Sequence, residues 1–438
     1  MLVLVNPGDR KAIYQNLDTA IEQPLWCRLI AGYIRDKGFD VAIVDMDAEN
    51  LSIDDATDEI LSYDPDLIAV IAYGHQPSAS TQQMVPAGKL CTSLKNASKV
   101  PIVICGGHVS ALPKKTLEEE DVDYVATGEG VLTILGLLKK QPKIIIPGLE
   151  WRGGRNPPPP LMNTEDLHGD VWDLLPMDKY RSHEWQTEER QPYAAIYTSL
   201  QCPFKCQFCC INAPFGGSGY RTRSPADVVN EIHHLYSLYG VKTFKIIDEM
   251  FVLKPSHYLP ICEGLAELNL DINIWAYARI DTVKNVDLLY KAGIRWLALG
   301  IESGSEIVRD GSDKSLSQED IFNIVKEIQD SGIKVMGNFI FGLPGDTHES
   351  MEETLKLAYD LNCDSANFYC AMAYPGSALY KMADPDKLPH NWSGYSQHSL
   401  DTTPYPTEHL TSEEIREFRD NAHAEYFGVE KLERAKLN

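Results

Sequence analysis

The chain has no stretch of about eighteen apolar residues, so no membrane span is expected. The opening residues, Met1-Leu-Val-Leu-Val-Asn-Pro-Gly8, lack a basic segment ahead of an apolar one. They read as a first strand, and no secretion signal is expected. Compositional bias and internal repeats are also missing, which argues against disorder, collagen and coiled coil. Positive charge is scarce: 40 Lys and Arg stand against 63 Asp and Glu, a net charge of −23. Such a surface repels nucleic acid and anionic lipid, so neither is expected as a partner.

What is present suits an enzyme with room for large cores. The 438 residues are 44% hydrophobic and 24% charged. At about 150 residues per domain, this length predicts two or three domains. Ten cysteines are present, four of them between positions 202 and 210. Without a signal peptide, a reducing, cytoplasmic compartment is expected, with thiols rather than disulfides.

Hydrophobic patterning gives the organisation. Residues 1–146 alternate apolar runs at 2–5, 41–45, 67–72, 102–105, 122–126 and 143–146 with amphipathic stretches near 24–37, 80–97 and 131–139. That alternation predicts βαβ units and a mostly parallel sheet. Ligands of such sheets sit beyond the carboxyl ends of the strands. Tyr73-Gly74-His75-Gln76, Gly106-Gly107-His108-Val109-Ser110 and Gly128-Glu129-Gly130 fall there. Residues 147–190 carry four consecutive prolines, Pro157 to Pro160, and read as a semi-extended linker. From 191 the alternation resumes, with strands at 193–200, 243–248, 272–277, 295–300, 333–341 and 364–370. Six βα steps are too few for a complete eight-fold barrel and predict a partial, open one over 191–385. Residues 386–438 form a Trp- and Tyr-rich cap that ends in a charged helix.

Directly after the first of these later strands comes Cys202-Pro-Phe-Lys-Cys206-Gln-Phe208-Cys209. Thiolates are soft ligands that suit iron–sulfur clusters or zinc. Cys210 is adjacent to Cys209 and points elsewhere. Three ligands on a four-iron cluster leave one iron open for chemistry; a structural zinc loop is the bland alternative.

The Cys-x-x-x-Cys-x-x-Cys loop after the first strand of a partial barrel resembles the radical S-adenosylmethionine enzymes. The resemblance implies a [4Fe–4S] cluster on Cys202, Cys206 and Cys209, which chelates S-adenosylmethionine and cleaves it to a 5′-deoxyadenosyl radical. It places Phe208 against the adenine. It also implies cofactor contacts from Asp248 and Glu249 after the second strand, Arg279 after the third and Glu302-Ser303 after the fourth. In Asn338-Phe-Ile-Phe-Gly342-Leu343 it implies an adenine segment, although the first position departs from the family's glycine. Tyr374-Pro-Gly-Ser-Ala-Leu-Tyr380 resembles a segment of cobalamin-linked members.

The first 146 residues resemble the cobalamin-binding domain, a Rossmann-like α/β unit, that precedes many of these enzymes. The resemblance implies that Tyr73, Gly74, His75, Gln76, Gly106, Gly107, His108, Val109, Ser110, Gly128, Glu129 and Gly130 lie at a corrin. The Asp-x-His-x-x-Gly motif of histidine-on domains is absent; Asp166-Leu-His168-Gly169 has other spacing. His75 and His108 are candidates to approach cobalt or the nucleotide tail, and hydrogen-bonded loop histidines are the alternative.

The implied activity is a cobalamin-dependent C-methyltransferase, which passes a methyl group from methylcobalamin to an unactivated carbon after hydrogen abstraction by the 5′-deoxyadenosyl radical. The implied partners are an external electron donor, such as flavodoxin or ferredoxin, and a small molecule, sugar, lipid precursor or peptide as substrate. Two alternatives remain: a non-methylating dehydratase, epimerase or cyclase of the same family, and a corrinoid carrier or sensor with a structural cluster.

Overall fold

The computed structural model describes residues 1–8, 19–74, 79–310, 316–397 and 401–428. His75 and Gln76 lie outside these residues.

The first domain is a seven-stranded sheet. Its strands are β1 (Leu2–Asn6), β2 (Val41–Asp45), β3 (Leu67–Ile71), β4 (Ile102–Cys105), β5 (Tyr124–Ala126), β6 (Leu149–Trp151) and β7 (Gly154–Arg155), in the order β2-β1-β3-β4-β5-β6-β7. The first five are parallel, with Leu4 opposite both Ile43 and Ala69. Helices cover both faces, which is why β1 up to Val5 and all of β3 are unbroken apolar runs, buried along their length. Each such side chain stabilises the fold by about 1.5–3 kcal/mol over exposure. The 2-1-3-4-5 core is a doubly wound order whose ligand crevice opens at the carboxyl ends beside β1 and β3.

Two features differ from expectation. The Lys143–Ile145 run is a 3-10 turn, not a strand, and Ile144 and Ile145 are exposed. β5 instead takes Leu149–Trp151 as an antiparallel partner, so the sheet runs on to Arg155. Three consecutive isoleucines between prolines mark a hydrophobic run without saying what it pairs with. The remainder of 147–190 is a packed strap rather than a semi-extended linker. Leu167, Val171, Trp172 and Tyr180 are buried, and Arg28 stacks on Trp172 at 3.4 Å while donating to the Ala195 carbonyl of the second domain at 2.9 Å.

That second domain is a six-stranded, wholly parallel sheet. Its strands are β8 (Tyr193–Ile196), β11 (Thr243–Ile246), β12 (Asn273–Arg279), β13 (Ile294–Glu302), β14 (Lys334–Phe341) and β15 (Ser365–Cys370), adjacent in chain order. A short ladder of β9 (Ser199–Leu200) and β10 (Arg221–Thr222) lies beside its first strand. β8 and β15 do not pair, so the barrel is open. A glutamine amide covers each edge. Gln23 donates to the Tyr193 carbonyl and accepts from Ala195 N–H on β8. Gln397 does the same for the Cys370 carbonyl and N–H on β15. Side chains thus satisfy backbone groups that a bare edge would expose. Toward the amino ends of the strands, the lumen is plugged by Trp185, Trp275, Trp296 and Met336. The helix Ser412–Phe427, started by a Thr411/Glu414 capping box, lays Phe418 on Phe341 at 4.9 Å and covers β14 and β15.

Candidate active site

The cysteine loop leaves β9 at Gln201, whose φ of +74° turns the chain sharply. Asn212 braces the loop from within: its side chain accepts from Cys202 N–H and donates to the Cys202 carbonyl. Cys209 N–H bonds the Cys206 carbonyl at 3.1 Å, and Leu379 N–H holds the Gln207 carbonyl from outside. Cys202, Cys206 and Cys209 are half-buried; Cys210 is buried.

Burial pushes the Cys202 thiol up to about 11, and Glu249 and Cys206 push the same way. Cys209 is raised for the same reasons. Three recessed thiols beside a carboxylate strain each other as anions, and a cationic cluster between them relieves that strain. Three soft thiols with no fourth protein ligand among them match a four-iron cluster that keeps one iron open, so the donor set suits the cluster.

Around the loop stand the carboxyl ends of the strands. Arg279 is buried, its Nε bonded to both Asp281 oxygens (2.7 and 3.0 Å), with its guanidinium 4.0 Å from the Phe204 ring of the loop. Glu249, pushed up to about 8 by burial and then by Asp248, is recessed beside the cysteines. Phe208 packs with Leu343, Val308, Ile340 and Ala371 into one apolar wall. Glu302 sits at a register shift at the end of β13 with φ +70°, a conformation that costs a glutamate on the order of 1 kcal/mol. Its carboxylate faces Tyr369, whose phenol is pushed up to about 12 by burial and then by that charge.

Several of these residues also have side-chain work within the protein. Asp248 accepts from Thr198 N–H and from the Thr198 and Ser199 hydroxyls, so its carboxylate is spent holding the end of β8. Ser303 is fully buried and ties its turn to Thr354. Asn338 spans three strands, donating to the Leu299 carbonyl and accepting from Asn367. Gly342 has φ +77°, and a Cβ there would lie 2.7 Å from Ile415 of the covering helix, so helix packing accounts for it.

In the first domain, Tyr73 donates to the Gly128 carbonyl at 2.9 Å and stacks on Trp26. Ser110 brackets the same glycine through N–H and carbonyl. Gly74 precedes the Ala79–Ala97 helix, and Gly106 lies against the Ala72 carbonyl. His108 is buried and neutral, pushed down to about 3 by burial and then by Lys115, with its ring edge-on to Trp392 at 4.4 Å. Trp392 therefore packs the cap against the first domain. Val109 is a core residue, and Gly130 packs on Cys105 as it starts the Val131–Leu138 helix. Glu129 is buried with both oxygens engaged, by Arg221 and by Met162 N–H, each at 2.7 Å. Its carboxylate is therefore not presented to a ligand. Arg221, Gln201 and Asn212 carry no local motif, and sequence reading passes over their roles. Adjacency to Cys202 was the only hint, at Gln201.

Residues 19–138 match the B12 binding domain and residues 196–358 the radical SAM superfamily. An uncharacterised methyltransferase of Pyrococcus horikoshii is 31% identical over 97% of this chain and 92% of its own length. The chain belongs to the cobalamin-dependent radical S-adenosylmethionine enzymes. Cobalamin, S-adenosylmethionine and a [4Fe–4S] cluster are the cofactors of that family. A second relative, an anaerobic magnesium-protoporphyrin IX monomethyl ester cyclase of Rubrivivax gelatinosus, is 26% identical over 82% of this chain and 66% of its own. The fold of this radical enzyme matches that of the methyltransferase TsrM from Kitasatospora setae, with a TM-score of 0.70 at 18% identity over 97% of this chain and 88% of TsrM. No helix among the described residues is long and apolar enough to cross a membrane.

Proposed function

We propose that the chain is a C-methyltransferase that carries a methyl group to an unactivated carbon of a small substrate. The observation that supports this most is the edge-to-edge meeting of the two cofactor regions. A Cβ on Gly107 would meet the Pro214 ring of the cysteine loop at 3.8 Å, and one on Gly128 would meet the Pro214 carbonyl at 3.6 Å. The corrin loops and the cluster loop thus lie within van der Waals reach of each other in one shared wall, as a methyl hand-over between two cofactors needs.

When bound, the cluster and S-adenosylmethionine supply a carbon-centred radical oxidant, and cobalamin supplies the methyl group. The chain's own work is to bind and orient. Cys202, Cys206 and Cys209 would hold the cluster. Glu302 would bind the ribose hydroxyls, Phe208 and Leu343 the adenine, and Arg279 with Glu249 the amino-acid end of S-adenosylmethionine. Gly106, Gly107 and Ser110, with Gly128 braced by Tyr73, would hold the corrin. The tryptophan plug and the Trp392 contact close the molecule on two sides, which protects reactive intermediates from side reactions. The enzyme works in a reducing, cytoplasmic setting, with a flavodoxin- or ferredoxin-like one-electron donor.

The cyclase relative favours a second reading, in which the same radical drives a reaction without methyl transfer. The two are separated by giving anaerobically reconstituted, reduced holoenzyme S-adenosylmethionine and fractions of small metabolites. Formation of 5′-deoxyadenosine together with S-adenosylhomocysteine is expected. 5′-Deoxyadenosine alone supports the second reading, and neither product contradicts both.

A further inference from the structure

Arg221 ties together four pieces of the molecule. Its Nη2 pairs with Glu129 Oε1 at 2.7 Å, and its Nη1 donates to the Met162 carbonyl of the strap at 2.6 Å. Its Nε donates to Gln201 Oε1 at 2.7 Å, and its guanidinium lies 5.3 Å from the Phe215 ring. Gln201 in turn donates to the Gly217 carbonyl, so one side chain holds both the start and the end of the cysteine loop. Glu129 closes the circuit by accepting from Met162 N–H at 2.7 Å. The carboxylate is 3% exposed and sits between Gly128 and Gly130, on the loop of the first domain that reaches the cysteine loop.

A salt bridge that served stability alone would have no reason to bond the residue before Cys202. A planar guanidinium with three engaged nitrogens transmits position as well as charge. We propose that Glu129, Arg221 and Gln201 are positioning residues that set the register between the corrin-binding loop and the cluster loop. This rests on the reading that both cofactors bind.

The test is pulsed EPR on holoenzyme holding cob(II)alamin and the reduced cluster, which needs no substrate. The wild type is expected to give one narrow cobalt-to-cluster distance distribution. Glu129→Ala and Gln201→Ala should broaden it or move it out while iron and corrin content stay at wild-type levels, and Glu129→Gln, which keeps the shape, should recover much of the narrow distribution. Gln201→Ala leaves the ion pair between the domains intact, so it remains informative if Glu129→Ala fails to fold. An unchanged distribution in Gln201→Ala overturns the proposal, even if the variant melts earlier. If the wild type takes up no corrin, the functional reading fails by itself. The register is then read from the reduced-cluster signal with S-adenosylmethionine, which should shift in Gln201→Ala; an unshifted signal overturns the proposal in that case.

Discussion

Lys245 and Glu22 form an ion pair at 2.8 Å with both side chains only 3% exposed. Lys245 lies on β11, and its Nζ is 4.7 Å from the Trp275 ring centroid. Glu22 comes from the segment ahead of the Leu25–Asp36 helix and also accepts from the Tyr193 hydroxyl. The first domain is thus anchored inside the base of the barrel by a charge that water does not reach. Removing one partner strands the other. Glu22→Gln and Lys245→Met should each destabilise the fold by about 3–5 kcal/mol, while the double change to Leu and Met should cost less than either single change. Urea midpoints of the three variants check this; a double variant as weak as the sum of the singles contradicts it.

Cys206→Ser should abolish the iron–sulfur absorbance of anaerobically reconstituted protein, and Cys210→Ser should keep it. Cys210 is buried in the hydrophobic core beneath the loop and, as the immediate neighbour of Cys209, points away from the other three, which makes it a packing thiol. Four irons per chain in Cys206→Ser would remove it from the ligand set.

Glu302 holds a left-handed backbone that glycine adopts freely. Glu302→Gly should therefore raise the melting temperature, by relief of on the order of 1 kcal/mol, while weakening S-adenosylmethionine binding. Calorimetry of the reconstituted variant reads both. Stronger folding with unchanged binding would assign the strained carboxylate no part in holding the cofactor.

His108 makes the fold sensitive to acid. Its folded value of about 3 lies below the ordinary 6.5, so the folded state refuses a proton that the unfolded chain accepts. Its contribution is fully present above about pH 6.5 and is lost as pH falls towards 3. The groups around it are Lys115, the Thr81 hydroxyl and the uncharged Trp392 ring. His108→Gln should flatten the slope of stability against pH between 6 and about 4. An equal slope would mean that the imidazole protonates in place.

The barrel could be read from sequence because each strand and helix is a local, periodic signal. Strands Thr243–Ile246, Ile294–Glu302 and Ser365–Cys370 fall where the apolar runs place them. The cysteine loop was legible because its ligands are neighbours in the chain. The Ile53–Ser62 helix was passed over, although Ser52 caps it by accepting from Asp55 N–H, because only ten residues carry its pattern. Glu129 was legible as a loop residue but not as a partner of Arg221, which lies 92 positions away and becomes its neighbour only when both domains have folded. The strap was legible only in part: its prolines speak locally and its apolar end signals packing, while the partners of Trp172 and Tyr180 lie on distant elements.

The central claim is that one chain carries a methyl group across two adjoining cofactors. It is tested most directly by feeding trideuteromethyl S-adenosylmethionine to the reduced holoenzyme with its substrate and weighing cobalamin and product. The account predicts the intact trideuteromethyl group first on the corrin and then on a carbon of the product, together with 5′-deoxyadenosine. Product that forms with 5′-deoxyadenosine but without the label, while the corrin stays unlabelled, would contradict it.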